Sequence, residues 1–162
     1  MINVLIVEDD PMARQLLEIY IKNNENYNYI QSVESAALAE FICSTNKVDV
    51  ILMDVCTAMN ASGLDAAAKI KKSFPKIKII IITSQPEYSF LDRAHLIGVD
   101  SFWYKSSNPE EIITVIDRTM AGEQVYPEST PSLKLGDTLS DKLSDRELEV
   151  LRIITTGASN TA

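Results

Sequence analysis

The strongest constraint on this chain is an alternation. Short apolar runs alternate with segments of helical spacing, and the pattern repeats five times before residue 121. The runs are Ile2–Val7, Tyr29–Val33, Val48–Met53, Ile77–Ile82 and Ser101–Tyr104. Three of them are nearly continuous Ile, Val and Leu, the composition of strands buried on both faces, as in a parallel sheet. Between them, Asp10-Pro11 reads as an N-cap followed by proline in the first helical turn. Met12, Leu16, Ile19 and Tyr20 then recur at spacings of three and four, predicting the apolar stripe of that helix. Ala36–Cys43 is a second helical segment, and Ser62–Phe74 a third, with Leu64, Ala67, Ala68 and Ile70 on one stripe and Lys69, Lys71 and Lys72 on a solvated face. Ser89–Ile97 follows Pro86 and ends at Gly98, where a C-cap glycine belongs. Asn108-Pro109-Glu110-Glu111 repeats the cap, proline and acidic first turn ahead of Ile112, Ile113, Ile116 and Met120. Alternating βα units of this length predict an α/β, doubly wound, five-stranded parallel sheet covered by helices on both sides.

The remainder has another character. Gly122, Pro127, Pro131 and Gly136 punctuate a polar stretch over 122–142 that reads as a linker. Ser144 and Glu147 then form a capping box before Leu148, Val150, Leu151, Ile153 and Ile154, with Gly157 as a stop. One short helix cannot make its own core, so residues 143–162 read as a C-terminal helical fragment. The net charge is −8. Residues 1–120 hold 16 acids against 11 bases, and 121–162 hold 7 against 4. Neither part offers a basic patch for nucleic acid or anionic lipid. Cys43 and Cys56 lack metal-ligand spacing and read as free buried thiols. There is no signal-peptide pattern and no run of membrane-spanning length, which points to a cytoplasmic setting without a membrane partner.

In an open parallel sheet, ligands bind beyond the carboxyl ends of the strands. There the sequence places Glu8, Asp9 and Asp10 after the first run, Asp54 after the third, Thr83-Ser84 after the fourth and Lys105 after the fifth. Singly, each has a plain structural reading. Asp10 caps a helix, Thr83 is a common strand residue, and Lys105 is a surface lysine. Jointly they make a rim of repelling carboxylates that a hard divalent cation, Mg²⁺, would relieve. Asp54 could then act as a nucleophile toward a phosphoryl donor, with Lys105 and the Thr83 hydroxyl offsetting charge on the transferring oxygens. His95 is expected on the solvent side of a helix, with no catalytic role.

Val7-Glu8-Asp9-Asp10, Met53-Asp54, Ile82-Thr83-Ser84 and Tyr104-Lys105 together resemble the receiver domain of two-component response regulators, over residues 1–121. The resemblance implies a flavodoxin-like (CheY-like) sheet of strand order 2-1-3-4-5. It implies Asp54 as phosphoacceptor, Glu8 and Asp9 as the Mg²⁺ acids with Asp9 the direct ligand, and the Cys56 backbone carbonyl as a further ligand. Thr83 resembles the switch hydroxyl and Phe102 the switch aromatic. On phosphorylation Thr83 would move inward and Phe102 fill the vacated space. Leu143-Ser144-Asp145-Arg146-Glu147-Leu148-Glu149-Val150-Leu151, with Gly157 and Ser159-Asn160, resembles the opening of a LuxR-type helix-turn-helix domain. That layout is similar to NarL/FixJ-type regulators, C-terminally truncated. The implied partners are a sensor histidine kinase, DNA only through the complete C-terminal domain, and a second copy of the chain as an option on phosphorylation.

Two departures accompany the likeness. Asp54 is followed by a glycine nine residues on, Gly63, where the family usually has one at eight, and the usual Met-Pro is missing. The loop after Asp54 is therefore expected to be one residue longer. Lys105 is followed by Ser106 where the family often has proline. Cys56 and Gln85, each two residues beyond a site residue, are placed to border the path of a hydrolytic water and to modulate dephosphorylation. The expected role is a signalling switch with a transcriptional output, not an enzyme. The alternatives are a stand-alone phosphorelay receiver and a Mg²⁺-dependent aspartyl phosphohydrolase. The last would want a second acid just past Asp54, where Val55 and Cys56 stand.

Overall fold

The computed structural model describes residues 1–105 and 111–128 and, beyond them, positions 134, 135, 138, 139, 144 and 146. In chain order the elements are β1 (Ile2–Val7), α1 (Pro11–Lys22), β2 (Tyr27–Val33), a 3₁₀ turn (Ala36–Leu38), α2 (Ala39–Thr45) and β3 (Val50–Asp54). Then come β4 (Cys56–Thr57), a second 3₁₀ turn (Ala58–Asn60), β5 (Ala61–Ser62), α3 (Gly63–Ser73), β6 (Lys78–Thr83), α4 (Tyr88–Ile97), β7 (Ser101–Tyr104) and α5 (Glu111–Met120). The main sheet is parallel in the order β2-β1-β3-β6-β7, the expected 2-1-3-4-5 once the short β4–β5 ribbon is set aside. These elements form one compact unit, Met1–Glu128. A second unit, Ser129–Ala162, holds a short antiparallel pair, β8 (Lys134–Leu135) with β9 (Thr138–Leu139), inside the stretch read as linker. The expected helix after Ser144 and the Asn108-Pro109 cap lie largely outside the described residues.

The continuous apolar runs are explained by two cores. Alternate side chains of a strand face opposite ways. Leu5, Val7, Ile51, Met53, Ile79, Ile81 and Phe102 pack on the α2–α4 side. Val4, Ile6, Val50, Leu52, Ile80, Ile82 and Trp103 pack on the α1 and α5 side, against Leu17, Ile21, Ile112 and Ile116. Each fully buried aliphatic side chain contributes about 1.5–3 kcal/mol, so a strand with both faces covered gains from every residue.

Capping signals hold. Asp10 Oδ1 accepts from Ala13 N at 2.7 Å, with Pro11 opening α1. Gly98 ends α4 in the left-handed region at φ 78°. Of the predicted α1 stripe only Tyr20 packs, half-buried, against the core, and the other three residues are out of phase. Met12 is 81% exposed and Leu16 and Ile19 also face outward, while Leu17 and Ile21 are buried. Both sets satisfy helical spacing, and contact with the sheet selects one. In α3, Ala66 turns inward and Ala68 outward. Lys71 does not belong to a solvated face. Its Nζ binds Asp100 Oδ2 at 2.7 Å, and Asp100 also accepts from Lys78 Nζ at 2.9 Å and Ile79 N at 2.9 Å. Burial pushes the Asp100 carboxyl up, but these three donors outweigh it and hold it below its ordinary value. Cys43 is buried, and burial, with Glu40 nearby, pushes its thiol up to about 11. Cys56, expected to be buried, is exposed because β4 lies at the rim and not in the sheet.

Residues just past α5 cover the open edge of β7. Phe102 N donates to Val125 O at 2.8 Å, and Val125 N to Ser101 Oγ at 3.0 Å. Tyr126 stacks on His95 at 3.8 Å between ring centres and donates to Val99 O at 2.7 Å. An uncovered edge would offer its amides to another chain. His95 is exposed, as expected. Among the described residues no helix is long and apolar enough to cross a membrane.

Candidate functional site

Sheet register brings the rim together. Val7 is level with Met53, Asp54 with Ile82, and Thr83 with Tyr104. The next residues after β1 and β7, Glu8 and Lys105, therefore emerge beside the end of β3. Asp54 is nearly buried, and both of its oxygens are engaged. Oδ1 accepts from Val55 N at 2.7 Å and Oδ2 from Lys105 Nζ at 2.8 Å. Glu8 has no exposed surface. Its Oε1 accepts from Asp10 N at 3.1 Å. Its Oε2 forms a close ion pair with Lys105 Nζ at 2.5 Å.

The electrostatics follow from this packing. Burial, and secondarily the Asp54 carboxylate, raise Glu8 to about 7, with Lys105 offsetting only part of the cost. Burial would lower the Lys105 ammonium, but hydrogen bonds to Asp54 and Glu8 raise it above its ordinary value. One ammonium thus serves two carboxylates, and Asp9 adds a third. Oxygens of Glu8, Asp9 and Asp54 lie within 4.8 Å of one another. Three carboxylates that share one ammonium, in an all-oxygen cluster open to solvent through Asp9, fit a hard cation.

Thr83 is buried, and its Oγ1 accepts from Gln85 N at 3.1 Å. Phe102 is buried on the same face of the sheet and meets Tyr104 edge-on at 5.1 Å. Cys56 Sγ donates to Gln85 Oε1 at 3.6 Å. Two residues singled out separately in the sequence therefore touch, joining the loops after β3 and β6. Burial first, then the Asp54 charge, raise the Cys56 thiol.

The loop after Asp54 folds as a small ribbon, with Cys56 opposite Ser62 and Thr57 opposite Ala61. Its tip turns through left-handed backbone at Met59 (φ 62°) and Asn60 (φ 54°). Asn tolerates this region, but Met pays roughly 1–2 kcal/mol. Buried Thr57 offsets the cost, its Oγ1 donating to Ala61 O at 2.7 Å and accepting from Ala36 N at 2.9 Å. Gly63 then closes the loop against β3. A Cβ there would lie 1.8 Å from Asp54 O.

Sequence reasoning missed two contributors. Thr57 has no distinguishing local pattern. Arg14, whose Nη1 donates to Glu8 O at 3.0 Å, sits where an arginine on a helix is usually solvated. Only its spacing of four from the Asp10 cap hinted that it could reach back over the acid loop.

Comparison with known proteins identifies the family. A model of the response regulator receiver domain matches residues 4–117. The response regulator protein VraR of Staphylococcus epidermidis is 32% identical over 164 residues, covering 98% of this chain and 78% of that protein. The fold is similar to the isolated receiver domain of RcsB from Salmonella enterica serovar Typhimurium, solved in the presence of phosphomimetic BeF₃⁻. That match has TM-score 0.72 and 19% identity over 80% of this chain and 95% of that one. It is similar too to a LuxR-family DNA-binding response regulator from Staphylococcus aureus, with TM-score 0.70 and 23% identity over 74% of this chain and 99% of that one. With a receiver model matched over residues 4–117 and a response regulator aligned along nearly the full chain, this protein belongs to the response regulator receiver domain family.

Proposed function

We propose that the chain is a phosphorylation-driven switch in which Asp54 is the phosphoacceptor. The observation that carries the reading is the Asp54 carboxylate, held at the rim by Lys105 with the buried Glu8 and exposed Asp9 beside it. Phosphoryl transfer is mostly positioning plus stabilisation of charge on the moving oxygens. The donor is a phosphohistidine of a sensor kinase. Its P–N bond breaks, a P–O bond forms to an Asp54 oxygen, and the freed imidazole takes up a proton. Asp9, Glu8, Asp54 and the Cys56 carbonyl would hold Mg²⁺. When bound there it supplies positive charge for the phosphoryl oxygens.

Lys105 already bonds to one Asp54 oxygen, so it needs little rearrangement to follow the new phosphate. Thr83, one residue past the end of the β3–β6 pairing, supplies a hydroxyl that turns from its local bond with Gln85 N toward the added oxygens. That inward movement frees space beside Phe102, which shifts the α4–β7–α5 surface. Cys56 and Gln85 stand at the mouth and set how readily water reaches the acyl phosphate.

The output is transcription. Residues 1–121 act as receiver, 122–142 as linker and 143–162 as the start of a helix-turn-helix domain, in a cytoplasmic signalling protein that is not itself an enzyme. DNA contact belongs to the complete C-terminal domain, and phosphorylation favours a homodimer. The alignment with whole response regulators along this region supports that layout. Intact-mass analysis after incubation with acetyl phosphate, with and without Mg²⁺, tests the core claim. The wild type should gain one phosphoryl group only with Mg²⁺, and Asp54→Asn should gain none. Labelling of the variant refutes the assignment.

A further inference from the structure

Arg14 lies one turn into α1, its side chain only 21% exposed. Its guanidinium makes three contacts with two separate parts of the rim. Nη1 donates to Glu8 O at 3.0 Å and, more loosely, to Asp9 O at 3.4 Å. Nη2 pairs with Glu34 Oε1 at 3.2 Å. Glu34 is itself fastened to the loop that follows Asp54, because its carbonyl accepts from Ala58 N at 2.9 Å. Two residues on, Ala36 N donates to Thr57 Oγ1 in that loop. Arg14 thus spans the acid loop after β1 and, through Glu34, the ribbon after β3.

This matters because Glu8 and Asp9 are adjacent. Neighbouring residues in extended chain point their side chains to opposite sides. For both carboxylates to approach Asp54, the backbone must leave the strand geometry at that point, and the two peptide groups must be held in the altered orientation. The side chains and the Asp10 end of the acid loop are held by Asp10 N on Glu8 Oε1, Lys105 on Glu8 Oε2, and the Asp10 contacts with Ala13 N and Arg14 N, while the Glu8 and Asp9 carbonyls are held by the Arg14 fork. A planar fork with several fixed donors suits this task, whereas an ammonium supplies one point of charge.

We propose that Arg14 is a positioning residue for the cation site, fixing the Glu8 and Asp9 peptides so that their carboxylates converge with that of Asp54. The inference rests on the reading of this cluster as a Mg²⁺ site. Residues that orient ligands in this indirect way typically tune metal affinity about 10–100-fold.

The test uses the full chain with Arg14→Ala, Arg14→Lys and Glu34→Gln. Mg²⁺ affinity is measured by calorimetry, acetyl phosphate labelling is followed across a Mg²⁺ titration, and thermal melting is recorded without metal. Arg14→Ala should weaken Mg²⁺ binding at least about tenfold, with labelling restored to near the wild-type rate once Mg²⁺ saturates. Arg14→Lys, which keeps the charge and loses the fork, should fall closer to the alanine variant than to wild type. Glu34→Gln retains a hydrogen-bond acceptor for Nη2 and should keep affinity within about threefold of wild type. A Kd unchanged in Arg14→Ala, whatever happens to its melting temperature, overturns the proposal and leaves Arg14 a structural brace. Should the alanine variant fail to fold, an unchanged Kd in Arg14→Lys overturns it equally. Wild-type protein that binds no Mg²⁺ and takes no label would instead refute the site assignment, an outcome separate from any ratio between variants.

Discussion

Replacing Gly63 by alanine should damage both stability and phosphorylation, and the structure sets the scale. The new Cβ would sit 1.8 Å from the Asp54 carbonyl oxygen, 2.9 Å from its carbonyl carbon and 3.0 Å from Met53 Cγ. Real Cβ atoms essentially never approach closer than 3.0 Å, so the first residue of α3 and the end of β3 must separate by at least 1.2 Å, the difference between those two values. The two nearest groups are backbone and cannot rotate away as the Met53 side chain could. Gly63 N also donates to Val55 O at 2.8 Å, and that bond strains with the movement. Alanine gains about 1 kcal/mol in helix propensity over glycine. Overpacking costs typically about 1–3 kcal/mol, and backbone obstruction puts this site at the upper end. The net is a destabilisation of ~2 kcal/mol, or a fall in Tm of roughly 4–8 °C for a chain of this size. Because the displaced group is the Asp54 main chain, the proposed acceptor carboxylate moves as well, and a misplacement of about 1 Å can cost on the order of 100-fold in rate. Urea unfolding and acetyl phosphate labelling measure the two effects. A variant that stays within about 0.5 kcal/mol of wild type and takes label at the wild-type rate would show that the glycine is not needed for the close approach.

Three further outcomes follow from other parts of the structure. Glu8 sits at about 7 because of its burial. Mg²⁺ must displace the proton, so affinity should plateau above that pH and fall about tenfold per unit below it. In metal-free protein the folded state holds a proton between the ordinary value of 4.5 and about 7 that the unfolded chain has lost, so stability should fall as pH rises through that window. Calorimetry at several pH values checks the first statement, and a pH-independent Kd contradicts it. Asp100→Asn should cost about 2–4 kcal/mol in urea unfolding at neutral pH, since it strips two lysines of their shared carboxylate. The lowered carboxyl of Asp100 contributes stability above its ordinary value of 3.8 that disappears as pH falls through the still lower folded value. A loss under about 0.5 kcal/mol would show the network to be idle. Cys56→Ala should shorten the lifetime of phosphorylated Asp54 if, as proposed, its contact with Gln85 limits the approach of water. Loss of a hydrogen bond worth about 1 kcal/mol corresponds to roughly fivefold, and matched dephosphorylation time courses in wild type and variant would contradict it.

The sequence by itself determined the architecture and the membership of the rim. Unbroken Ile, Val and Leu runs can only be satisfied by strands with cover on both faces, and the two cores on either side of the sheet realise that. Residues just past those runs had to fall along one edge, because parallel strands in register end level with one another. Hence Glu8, Asp54, Thr83 and Lys105 could be named before any coordinate. Caps were legible as well, since Asp10-Pro11 and Gly98 act within one turn of chain. What only the tertiary structure decided are choices between locally equivalent options and contacts between distant segments. Helical spacing permits either Met12, Leu16 and Ile19 or Leu17 and Ile21 to face inward, and the sheet picks the second set. Lys71 looks like any solvated lysine until Asp100, 29 residues away, comes within 2.7 Å. Gly63 meets Asp54 across a ribbon, and Arg14 reaches back to Glu8, through geometry that no local pattern encodes. Periodicity and capping are properties of neighbouring residues, whereas these contacts exist only once whole elements have packed.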